Sequence, residues 1–201
     1  MEPKKVNQWK EPEAWEEAEA EEEEKGESKL RSIAGTIAYL LLVFGIAVFL
    51  VTFVGQRTQV SGSSMYDTLE DKDQLLVEKL SYRFGDPKRF DVVVFLEDPK
   101  EDKYFIKRII GLPGETVQIK DGVIYIDGEA IEEDYGYETI KRPGRAANPV
   151  TLGEDEYFVL GDNRNNSTDS RKESVGNVNR SQFLGRAFLR IWPFSGFGLV
   201  K

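Results

Sequence analysis

Lys107 lies in the middle of an apolar run, Tyr104-Phe-Ile-Lys-Arg-Ile-Ile110. If the run is a strand, Phe105 and Ile109 share its face and Ile106 and Ile110 take the other. Such neighbours disfavour an ammonium ion, so the pKa should fall from a reference near 10.4. Reaching neutrality takes roughly 4 kcal/mol of destabilisation of the charged form. A neutral amine can then accept a proton from a hydroxyl. In the competing reading Lys107 snorkels to the sheet edge, or pairs with an acid, and keeps an ordinary pKa. The 201-residue chain has no histidine and no cysteine. That excludes an imidazole base, a Ser-His-Asp triad, a thiol nucleophile, a disulfide framework and zinc sites built on these ligands. Serine is the common nucleophile left for a neutral lysine, and several serines compete. No lysine has a serine three residues before it, and no Gly-x-Ser-x-Gly elbow occurs, so any Ser–Lys pair must meet through the fold.

Three further stretches are unusual in composition. Ser61-Gly-Ser-Ser-Met-Tyr-Asp-Thr-Leu69 is rich in turn residues. Gly161-Asp-Asn-Arg-Asn-Asn-Ser-Thr-Asp-Ser-Arg171 is a dense polar loop after an apolar run. Trp192-Pro-Phe-Ser-Gly-Phe-Gly198 is aromatic, and Trp192, Phe194 and Phe197 suit either packing or a lipid interface. Lys141 to Arg145 reads as a solvated basic face. Three Asn-x-Ser/Thr triplets carry little weight, because that pattern recurs by chance. No metal-ligand spacing and no phosphate loop is present, so neither a metal nor a cofactor is expected.

These residues need a scaffold, and the pattern after residue 55 is that of strands. Gln74–Glu78, Asp91–Phe95, Tyr104–Ile110, Tyr157–Leu160 and Ala187–Trp192 are short and rich in β-branched and aromatic residues. Val117–Ile126 reads as a hairpin turning at Asp121-Gly122. Residues 127–150 look like an excursion from the sheets. Ile33 to Val54 is 22 residues without a charge. As a helix it reaches about 33 Å, enough to cross a hydrocarbon core of about 30 Å.

The net charge of −9 argues against a nucleic-acid partner. Most of it is local: residues 1–28 carry eleven Glu and four Lys, and the remainder is near neutral. The expected organisation is an acidic disordered tail over 1–28, a transmembrane anchor over 29–57 and a mostly β, antiparallel-sheet domain over 58–201. Lys25, Lys29 and Arg31 before the span, against Arg57 and Lys72 after it, favour a cytoplasmic N-terminus.

Ser-Met-x-x-Thr-Leu after an anchor, Lys-Arg-Ile-Ile-Gly-Leu-Pro-Gly-Glu, and Gly-Asp-Asn-Arg-x-x-Ser-x-Asp-Ser-Arg, in this order, resemble bacterial type I signal peptidases. The likeness runs from residue 33 to about 195. It implies a membrane-bound serine endopeptidase acting on exported preproteins and cleaving after small residues, with its catalytic domain on the outer side of the bacterial cell membrane. By position, Ser64 matches the nucleophile and Lys107 the general base. Ser167 matches the hydroxyl that positions the lysine amine, and Asp169 and Arg171 match a bracing pair. Gly62 stands where part of the family has a side-chain hydroxyl for the oxyanion, so backbone N–H groups, that of Ser64 above all, are expected to serve. Asp67 replaces a proline of the better-known pattern; its charge is expected to raise the Lys107 pKa. Two other readings are a Ser–Lys self-cleaving relative and an inactive, membrane-tethered β-rich binding module. The span and the 161–171 motif oppose the first, and the presence of Ser64, Lys107 and Asp169 opposes the second.

Overall fold

The computed structural model describes residues 14–49, 55–98, 100 and 103–201. The chain divides into two units, residues 1–49 and 50–201. In the first, helix α1 (Ala14–Phe49) runs for 36 residues. Its stretch Lys29–Val48 has a mean hydropathy of 1.9 and exposed side chains, long and apolar enough to cross a membrane. Residues 50–54 of the expected span lie outside the described residues. Helix α1 includes residues 14–28 of the acidic segment. Alanine and glutamate are strong helix formers, and extending an existing helix costs less than nucleating one. Residues 1–13 lie outside the described residues.

In the second unit the described strands are β1 (Gly55–Gln59), β2 (Gln74–Glu78), β3 (Val92–Asp98), β4 (Lys103–Gly111), β5 (Thr116–Lys120), β6 (Val123–Ile126), β7 (Glu129–Ala130), β8 (Val150–Thr151), β9 (Glu156–Leu160), β10 (Val178–Asn179), β11 (Phe183–Trp192) and β12 (Gly198–Leu199). All pairings between them are antiparallel. The larger sheet runs β1-β2-β11-β3-β4-β9-β10, with β12 on β11; the smaller runs β7-β6-β5-β8. One helical turn, α2 (Ser81–Phe84), follows β2. The fold is mostly antiparallel β with one N-terminal apolar helix, as the sequence indicates.

The hairpin turns where expected, with positive φ at both Asp121 and Gly122, as a type I′ turn requires. The excursion 127–150 is partly sheet: its ends form β7 and β8 on the two edges of the β5–β6 hairpin. Its middle returns to the larger sheet. Tyr135 stacks under the Arg108 guanidinium and beside Phe90, and Glu133 forms a bidentate pair with buried Arg164.

Alternation along β4 feeds three cores. Ile110 joins Val117, Ile119, Phe158 and Leu160 between the sheets. Ile109 joins Val93, Phe95 and Val159, with Phe105 packed against them. Ile106 packs against a third cluster that includes Met65, Leu69 and Leu75. β4 lies between β3 and β9, so a side chain at its centre has no sheet edge to reach.

Candidate active site

Ser64 stands in the loop between β1 and β2. That loop is closed at its base by Val60 N–H to Asp73 O (2.8 Å) and Lys72 N–H to Val60 O (2.9 Å). Inside it, Leu69 N–H bonds to Met65 O at 2.8 Å, closing a five-residue turn. Met65 and Leu69, four apart, both enter the core, and that fixes the intervening turn. Buried Asp73 accepts the Glu70 N–H and the Arg190 guanidinium. Ser64 is left on the wall of a cleft of about 480 Å³, lined also by Val60, Met65, Phe105, Ile106 and Lys107.

Lys107 projects from the middle of β4 and is 3% exposed. Its Nζ lies 2.8 Å from Ser64 Oγ and donates to the Ile106 carbonyl at 2.8 Å. The Phe105 ring centroid is 4.9 Å away. Burial pushes its pKa down to about 8, against the opposing pull of Asp169 and then Asp162. No carboxylate bonds to the amine among the described residues, so the snorkelling and ion-paired readings both fail here. An amine in this state can donate one proton to Ile106 O while its lone pair faces the serine hydroxyl.

The 161–171 loop packs on the loop that carries Ser64. Asn163 N–H donates to the Ser64 carbonyl at 3.1 Å, and the side-chain amides of Asn163 and Asn166 reach Ser63. This approach requires glycine at 161: a Cβ there would stand 2.4 Å from Ser64 O and 2.3 Å from Ser167 Oγ. Asp169 and Arg171 form a buried bidentate pair, with 2.8 and 2.7 Å contacts. Asp169 also accepts the Gly161 N–H at 3.1 Å. The pair thus fastens the backbone at Gly161. Ser167 Oγ is buried beside Gly161 and has no hydrogen-bond partner, so the expected contact with the Lys107 amine is not made. The Gly62 N–H is occupied by Asp71 Oδ1 at 2.8 Å, whereas the Ser64 N–H donates to no backbone carbonyl among the described residues.

The family of signal peptidases, peptidase S26, matches residues 33–192. The chain belongs to that family. A probable signal peptidase I-2 from Synechocystis is 42% identical over 160 residues, covering 77% of this chain and 71% of the relative. A signal peptidase I from Leptolyngbya laminosa is 41% identical over 160 residues, covering 76% of each. A crystal structure of a signal peptidase I from Enterococcus faecalis, at 35% identity and a TM-score of 0.40, covers 50% of this chain and 96% of its own.

Asp67 is exposed, and the carboxylates that pull the Lys107 pKa upward against burial are Asp169 and then Asp162. Sequence reasoning also missed a second buried centre. Arg108, fully buried, is bidentate with Asp162 at 2.9 and 2.7 Å and donates to Phe90 O at 2.8 Å. The Thr68 hydroxyl donates to Asp162 at 2.6 Å. These contacts tie the Ser64 loop, β4 and the 161–171 loop together. The signal was available: the residue after an inward Lys107 faces the opposite side of a central strand, where a guanidinium must find a carboxylate.

Proposed function

We propose that the chain is a membrane-anchored serine endopeptidase that removes signal peptides from exported preproteins, with Ser64 as nucleophile and Lys107 as general base. The observation that carries this is the 2.8 Å contact between a buried lysine amine and the serine hydroxyl, at the edge of an open cleft. Ser64 Oγ attacks the scissile carbonyl carbon as its proton passes to Lys107 Nζ. The C–N bond then breaks, and Lys107 returns that proton to the departing amine. The acyl ester left on Ser64 is hydrolysed by a water that Lys107 deprotonates.

The Ser64 N–H serves the oxyanion, since the Gly62 N–H is already engaged. Asp169 and Arg171 hold Gly161 against Ser64. The apolar helix α1 is the anchor, with the N-terminus cytoplasmic and the catalytic domain outside. The aromatic pair Trp192 and Phe194, 4.9 Å apart and exposed, contacts lipid.

The test is to incubate the detergent-solubilised protein with a preprotein and map the cut. Cleavage after a small-x-small site, abolished by Ser64→Ala and by Lys107→Ala, supports the reading. Undiminished activity in either variant overturns the dyad.

A further inference from the structure

Beside the cleft, and sharing Asn166 and Thr168 with it as a common wall, lies a pocket of about 390 Å³ of opposite character. Four of its lining residues are cationic: Arg142, Arg164, Arg171 and Lys172. No carboxylate is among its lining residues. Arg164 is neutralised by Glu133 and Arg171 by Asp169. Among the described residues, Arg142 and Lys172 have no carboxylate partner. Lys172 Nζ instead donates to Thr168 Oγ1 at 2.9 Å, which leaves the Thr168 hydroxyl proton for another acceptor. The Arg164 guanidinium, almost wholly buried, spends its two terminal nitrogens on Glu133, and its Nε has no partner. Two uncompensated cations and a spare hydroxyl donor in one recess make a site for a carboxylate.

We propose that this pocket receives an acidic side chain from the first few residues on the mature side of the scissile bond. This rests on the signal-peptidase reading and adds to it a charge preference after the cut. Two dissimilar recesses meet at the Asn166–Thr168 wall. The one holding Ser64 is lined by Val60, Met65, Phe105 and Ile106, which suits small apolar side chains before the bond. A chain seated there passes the wall with its residues after the bond, where the charge is positive. A carboxylate then meets Arg142 and Lys172, an amide gains less, and a lysine is repelled.

The experiment uses the full-length protein in a neutral detergent and preprotein peptides differing only in the first three residues after the cut, as Glu, Gln or Lys. The expected ratio of kcat/KM for Glu over Gln is about fivefold at low ionic strength, falling toward one in about 0.5 M salt. The ratio should collapse in Arg142→Gln/Lys172→Gln, and Lys172→Glu should turn the preference toward the Lys peptide. Lys120→Gln, which does not line the pocket, should keep the wild-type ratio. A Glu preference that survives the double substitution overturns the proposal, as does no preference in the wild type. If the double variant instead loses binding to phosphatidylglycerol vesicles with no change in the peptide ratio, the pocket serves lipid and the proposal falls. If the wild type cuts none of the peptides, the signal-peptidase reading fails first.

Discussion

Lys107 and Arg108 are consecutive on β4 and both buried, yet Arg108 is clasped by Asp162 while the Lys107 amine bonds to a serine hydroxyl and a carbonyl. Strand alternation sends them to opposite faces, so one sheet position builds a rigid ion pair and the next a destabilised amine. The pair ties the loops in place, and the amine is the base of the proposed mechanism.

The strain on Lys107 should be visible as stability. Its pKa in the fold, about 8, is below its ordinary value of 10.5. The folded protein therefore binds fewer protons than the unfolded chain between these values, and stability rises with pH across that window. Below pH 8 the penalty is complete. Lys107→Met removes it, so at pH 7 the inactive variant should be more stable by about 3 kcal/mol. The gain should shrink as pH rises from 8 and leave only packing effects above 10.5. Urea melts at pH 7 and 10.5 measure it, and equal gains at both pH values would point to packing alone.

Breaking the ion pair should do the opposite. Asp162→Asn leaves the Arg108 guanidinium buried without its carboxylate and should cost about 3–5 kcal/mol. Asp86→Asn, which loses the exposed partner of Arg180, should hardly move the urea midpoint. Comparable losses in the two variants would show that burial of the Arg108–Asp162 pair does not set its worth.

Gly161→Ala tests the contact between the loops. The new Cβ meets the Ser64 carbonyl, which is backbone, as well as the Ser167 side chain. A displacement of Ser64 by about 1 Å should lower kcat about a hundredfold. Adding Ser167→Gly removes both side-chain contacts (Oγ and Cβ) and not the backbone one, so activity should stay low in the double variant. Full recovery there would mean that Ser167, and not Ser64, had been displaced.

How much of this was legible beforehand depended on range. The apolar strands showed themselves because each buries a recognisable face, as in Asp91–Phe95 and Tyr104–Ile110. β1, Gly-Gln-Arg-Thr-Gln, did not, because a polar edge strand has no buried face to give it a pattern. The lone Lys107 was legible from its apolar neighbours within four residues. The partner of Arg108 was not, because Asp162 lies 54 residues away and several other acids were equally plausible. Ser167 shows a further limit: its place beside Ser64 followed the motif, while its hydroxyl has no partner.

The claim that Lys107 acts as the neutral base is tested most directly by kcat/KM for one preprotein peptide between pH 5 and 10. We expect the rate to rise about tenfold per pH unit at the acid end and to level off through an ionisation near 8, where the buried amine loses its proton. A profile that stays flat between pH 6 and 9 would contradict it.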